Sequence, residues 1–189
     1  KLFTADKYDD PMYNVKFKTI TCKDLLGQLK DKYDYNHKVI YLHKSLFKES
    51  FGKMFSTFLH ELSHALEESY GYQIYSDNKI VNEFLQKRNI LYDILWANDF
   101  KAPKSIFNNT EYNQDFDDFL HKKVGYHRLA PLVQGLFITP YAATSIREYF
   151  ATMFTEFYLT SNHQYIKKLS PALYDKILML QNAENLDYE

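Results

Sequence analysis

His60-Glu61-Leu62-Ser63-His64 constrains this chain more than any other stretch. On an α-helix, residues i and i+4 stand one above the other, so the imidazoles of His60 and His64 can reach one ion. Glu61 is turned by about 100° from His60, close enough to hold a metal-held water without being a ligand itself. The flanking residues suit a buried helix. Met54, Phe55, Phe58, Leu59, Leu62, Ala65, Leu66 and Tyr70 recur at steps of three and four. That period predicts a helix from about Phe47 to Tyr70, with Gly71 as its C-terminal stop. The bland alternative is two satisfied histidines on a core helix.

Composition narrows the class. A chain of 189 residues fits a single domain, 1–189, with a sizeable core. Lys+Arg 23 against Asp+Glu 24 gives a net charge of −1, which leaves no electrostatic footprint for nucleic acid. No apolar run approaches the roughly 18 residues of a transmembrane segment. The single cysteine, Cys22, excludes an internal disulfide framework without excluding secretion. Seventeen tyrosines and 15 phenylalanines supply a large aromatic core. A start at Lys1, with neither Met nor an apolar leader, is expected of a processed form or an excised domain.

Taken in order, Val15 to Thr21 alternates charged with apolar residues and predicts a half-exposed strand. Cys22 to Tyr33 reads as a short amphipathic helix through Leu25, Leu26 and Leu29. Lys38 to His43 is the clearest strand, either an ordinary core strand or one whose free edge takes an extended substrate. After the His-Glu-x-x-His helix, Asp77 to Leu95 predicts a second helix. Trp96 to Gly125 is poorly patterned; it is expected to be an insertion, a loop with a short helix, that shapes a cleft. Its acidic run Asp115-Phe116-Asp117-Asp118 reads as a solvated face. Ser145 opens a further helix to about Leu159. Ser170-Pro171 is an N-cap with proline at the first helical position of the last helix, which is expected to fray from Asn182. The fold class is therefore α+β, mainly helical with a small N-terminal sheet.

Two histidines do not complete a catalytic zinc site, which usually takes three protein ligands and one water. The H-x-x-G-x-x-H continuation of one zincin class is absent, because Glu67 stands for the glycine and Tyr70 for the last histidine. Glu83 is one candidate. It follows His64 with 18 residues between and comes after Asn82, as in zinc aminopeptidases with an Asn-Glu motif, but lacks their other elements. Glu148 is the other, in Tyr141-Ala-Ala-Thr-Ser-Ile-Arg-Glu148-Tyr-Phe-Ala151. There a carboxylate can bind zinc and the Tyr141 phenol can donate to an oxyanion. Ser145-x-x-Glu148 is also a capping box, and Tyr141 can be plain packing, so both readings stay open. The remaining histidines, His37, His43, His121, His127 and His163, have no ligand spacing and read as surface or satisfied residues, with His43 and His127 the two to watch near a cleft.

The combination of His-Glu-x-x-His with Tyr-x6-Glu-(Phe/Tyr)-Phe-Ala resembles the catalytic domain of anthrax lethal factor and the related Pro-Pro endopeptidases. Ala65-Leu66-Glu67-Glu68 is similar to the continuation of that family's metal helix, and Tyr158-Leu159 through Leu169-Ser-Pro-Ala-Leu-Tyr174 to its closing region. The resemblance covers roughly Lys38 to Leu180, except the longer Trp96 to Gly125 stretch. It implies a zincin-like fold and one Zn2+ held by His60, His64 and Glu148. It further implies Glu61 as general base, Tyr141 as oxyanion donor, a protein or extended peptide as substrate, and export from a bacterium. One position departs: the family carries a supporting glutamate where this chain has Thr152. A catalytically inactive binding module and an aminopeptidase that uses Glu83 are the other functions to weigh.

Overall fold

The computed structural model describes residues 16–20 and 32–181. It is mostly helical with one small sheet, and its chain divides into two compact units, Lys1–Gly71 and Tyr72–Glu189.

In the first unit, β1 (Lys16–Ile20), β2 (Lys32–Asp34) and β3 (Val39–His43) form a sheet in the order β1-β3-β2. β1 runs parallel to β3, with Lys16 opposite Val39 and Ile20 opposite His43. β2 is antiparallel, with Tyr33 opposite Ile40. Asp34 makes the connecting turn by accepting N–H bonds from Asn36 and His37 at 3.0 and 3.3 Å. The expected Lys38–His43 strand is thus confirmed but is central, paired on both sides along Val39–Tyr41, so no free edge remains there for a substrate. The helix expected at Cys22–Tyr33 lies outside the described residues except for Lys32 and Tyr33, which belong to β2. Alternation of charged Lys32, buried Tyr33 and Asp34 is the strand signal that the leucine spacing obscured.

Helix α1 spans Phe51–Tyr75. It begins four residues later than expected, because Lys44–Lys48 forms a separate 3-10 turn and Glu49 is extended at φ −79°, ψ 172°. Ser50 caps the start, its hydroxyl accepting from Lys53 N–H at 3.3 Å. Gly71 does not end the helix. The irregular residue is Tyr70, at φ −118° and ψ 19°, and helical structure continues to Tyr75.

The second unit contains α2 (Lys79–Ala97), α3 (Gln114–Asp118), α4 (Tyr126–Leu132), α5 (Ile146–Leu159), α6 (His163–Leu169) and α7 (Pro171–Leu180). Helix α2 is central and packs on α4, α5 and α7. Its buried stripe runs Ile80, Phe84, Lys87, Arg88, Leu91 and Leu95, so two cations lie on the face that helical spacing assigns to the core. Phe84 meets Phe137 and Tyr149 at ring-centre distances of 6.1 and 5.4 Å. Each such fully buried aromatic contributes about 1.5–3 kcal/mol.

The stretch 96–125 is more ordered than expected. A 3-10 turn at Lys104–Phe107, α3 and a π-helical turn at Phe119–Val124 drive Phe107, Phe116 and Leu120 into the core. The acidic run is amphipathic: Asp115 is exposed, whereas Phe116 is 1% exposed.

Helix α7 starts at Pro171 as expected, yet Ser170 does not cap it with its side chain. The Ser170 hydroxyl instead accepts from Lys87 Nζ at 2.9 Å. The free N–H groups of α7 go to Glu83, whose carboxylate accepts from Ala172 at 2.8 Å and from Leu173 at 3.3 Å. A carboxylate at a helix N-terminus also sits favourably in the helix dipole. The expected fraying from Asn182 lies outside the described residues.

Candidate metal centre

Helix α1 presents different stripes to different surroundings. Leu62 and Ala65 pack against Tyr33, Ile40 and Leu42 of the sheet. One turn on, Glu68 accepts a short hydrogen bond from the Tyr33 phenol. Burial, and then the Glu68 carboxylate, holds that phenol well above its ordinary range. Apolar packing and one bond thus fix how α1 is rotated about its axis, and with it where the other stripe points.

That other stripe carries His60, His64 and Glu67 at i, i+4 and i+7. The rings of His60 and His64 lie 5.1 Å apart, nearly perpendicular at 87°. Ser63, fully buried, donates from its hydroxyl to the His60 carbonyl at 2.6 Å. Glu67 Oε2 lies 3.6 Å from His64 Nδ1, an ion-pair distance beyond hydrogen-bond range, and both side chains are at least nine-tenths buried. A carboxylate behind Nδ1 favours the tautomer that leaves Nε2 for a ligand role. The His64-x-x-Glu67 spacing is the sign of this contact in the sequence. Glu61 is 7% exposed on the same helix.

Tyr141 and Glu148 lie on one short segment of the second unit. Tyr141–Ala143 forms a 3-10 turn, and Thr144 closes it by donating its N–H and hydroxyl to the Tyr141 carbonyl at 3.0 and 2.7 Å. Ser145 is extended, and its hydroxyl accepts from Glu148 N–H at 3.2 Å, the serine half of the expected capping box. Ile146 N–H donates to the Thr110 carbonyl at 2.8 Å, tying this segment to the stretch 96–125. Glu148 therefore enters the first turn of α5 half-buried, and Tyr141 is 38% exposed.

His60, His64 and Glu148 form a group that can hold a metal ion: one ligand atom from each lies within 4.8 Å of the other two. No other such group occurs among the described residues. Two imidazoles, which are borderline donors, and one carboxylate, a hard one, make a set that zinc accepts. Glu83 is not in the group. Besides capping α7, it accepts from the Tyr149 hydroxyl at 2.8 Å.

The other candidates lie outside this group among the described residues. His43 caps the 3-10 turn after β3, its Nδ1 accepting from Ser45 N–H at 3.2 Å. His127 is exposed on α4. In the acidic run, Asp117 accepts from two phenols, Tyr112 at 3.0 Å and Tyr126 at 2.9 Å. Burial, and then Asp117, pushes the Tyr112 phenol up to about 12, and the Glu148 charge adds to that field. Nothing in the sequence pattern marked this cluster.

No helix among the described residues is long and apolar enough to cross a membrane. A scan of protein-family models, a search of curated proteins and a search of solved structures each found no match to this chain.

Proposed function

We infer that the chain is a zinc-dependent endopeptidase of the zincin type, resembling the lethal factor and Pro-Pro endopeptidase family, and acting outside a bacterial cell on a protein or extended peptide. The observation that carries this reading is the grouping of His60, His64 and Glu148 beside a glutamate one residue after the first ligand. Bound there, zinc supplies a Lewis acid that acidifies a water and polarises the scissile carbonyl. Every other role falls to side chains. The Glu61 carboxylate accepts the proton of the attacking water and returns it to the leaving amine. The Tyr141 phenol, on a turn and partly open to solvent, donates to the oxyanion that develops on the carbonyl carbon's oxygen. Glu67 keeps His64 oriented from behind. Engagement of Glu83 as the α7 cap gives an aminopeptidase that uses it as third ligand no support.

An internally quenched peptide library, blocked at both termini, tests the reading. The zinc-replete protein is expected to cut internal bonds, and Glu61→Gln to lower turnover about 10²–10⁴-fold while metal content stays unchanged. Undiminished cleavage by metal-replete Glu61→Gln removes the mechanism. Metal uptake with no cleavage of any peptide turns the protein into a binding module.

A further inference from the structure

Arg88 is 1% exposed, on the buried stripe of α2 where helix packing alone asks for an apolar side chain. Every hydrogen bond it makes among the described residues goes to a backbone carbonyl. Nη1 donates to Ala143 O at 2.7 Å and, more weakly, to Thr144 O at 3.4 Å; Nη2 donates to Ile106 O at 2.6 Å. Among the described residues its Nε finds no partner, and the guanidinium lies 3.8 Å from the centre of the Phe116 ring. A buried charge without a counter-charge is expensive, and burial lowers the Arg88 pKa to about 9. The return is positional. Ala143 and Thr144 lie between Tyr141 and Glu148, the two residues of this segment with a proposed chemical role. Ile106 and Phe116 belong to the stretch 96–125. A planar fork with fixed donor directions joins the two, and the directions are set by the guanidinium plane and not by a freely turning head group.

We propose that Arg88 is the positioning residue of the Tyr141–Glu148 turn, held in place by the 96–125 segment through Phe116 and Ile106, so that this inserted stretch is part of the catalytic apparatus. The proposal rests on the reading of Tyr141 as oxyanion donor and Glu148 as third ligand. A misplacement of about 1 Å in such groups lowers rates by about 10²-fold.

Arg88→Lys keeps the charge and loses the fork. It is expected to lower turnover about 10–100-fold with KM nearly unchanged, and zinc affinity about 10-fold. Combined with Tyr141→Phe, Arg88→Lys should reduce turnover by distinctly less than it does alone. In the metal-free protein, amide hydrogen exchange should speed up at residues 142–148 and stay unchanged in α7. Wild-type turnover and zinc affinity in folded Arg88→Lys overturn the proposal, as does exchange that rises uniformly through the second unit. If the wild-type protein neither binds zinc nor cleaves peptides, the underlying enzymatic reading fails. The exchange pattern then still judges Arg88: local acceleration supports positioning, and its absence rejects it. Should Arg88→Lys not fold, Phe116→Leu removes the ring beneath the guanidinium and is expected to give the same local pattern at smaller amplitude.

Discussion

The two halves of the proposed site are held by opposite means. On α1, geometry is local: the 3.6-residue period sets His60, His64 and Glu67 on one stripe, and the Leu62–Ala65–Tyr33 packing fixes its direction. On the Tyr141–Glu148 segment, geometry is imported. A 3-10 turn, an extended Ser145 and the first turn of α5 hold their path by bonds to Thr110 and to the buried cation Arg88. A helix encodes relative side-chain positions in its spacing, whereas a turn depends on residues tens of positions away. The first half should therefore tolerate changes outside itself better than the second.

The largest effect on that contrast is expected at Tyr141. Tyr141→Phe should lower turnover about 10²–10³-fold, with metal content and unfolding midpoint unchanged. A steady-state assay beside elemental analysis reads this, and a wild-type rate takes Tyr141 out of the chemistry. Next comes the local half. Glu67→Gln is expected to weaken zinc binding about 10–100-fold, read by competition with a chelator, whereas Glu68→Gln, which only loosens the Tyr33 bond, should leave affinity within about 3-fold. Equal effects of the two would deny Glu67 its role behind His64.

The smallest effect concerns the buried cations that hold the second unit. Lys87 donates to the carbonyls of Leu136 and Leu169 and to Ser170, and burial lowers its pKa from 10.5 to about 8. Between pH 8 and 10 the unfolded chain keeps a proton there that the folded chain releases, so stability rises with pH across that window. The rise is on the order of 2 kcal/mol. Above pH 10 the slope reverses, because Tyr33, Tyr126 and Tyr149 keep phenolic protons in the folded state that the unfolded chain loses. Arg88, lowered to about 9, adds to the rise at the top of that window, so urea midpoints from pH 7 to 10 should rise clearly less in Lys87→Met than in wild type. A flat wild-type profile contradicts the burial cost assigned to Lys87.

What the sequence disclosed follows the same division. The metal helix, the central strand, α2, the Ser145 start of α5 and the proline start of α7 were legible, because each rests on short-range period or capping chemistry. The choice of Glu148 over Glu83 rests in the sequence on the family resemblance, since both are glutamates at plausible spacings. Only the fold shows that Glu83 is occupied by the N-terminus of α7, 89 residues further on. The stretch 96–125 is legible only as a loop with a short helix, because its core residues, Phe107, Phe116, Phe119 and Leu120, sit on short 3-10, α and π turns that share no single period. Lys87 and Arg88 did leave a trace: they fall three and four residues after Phe84 and before Leu91, on the apolar stripe. Charged residues at stripe positions are easily dismissed as surface, and here they are the braces of the unit.

The central claim is that Glu148, and not Glu83, completes the metal site begun by His60 and His64. Elemental analysis of purified wild type, Glu148→Ala and Glu83→Ala after zinc loading and desalting tests it most directly. One zinc per chain is expected in wild type and in folded Glu83→Ala, with loss in Glu148→Ala. Zinc kept in Glu148→Ala and lost in a folded Glu83→Ala, or no zinc in any form, contradicts the account.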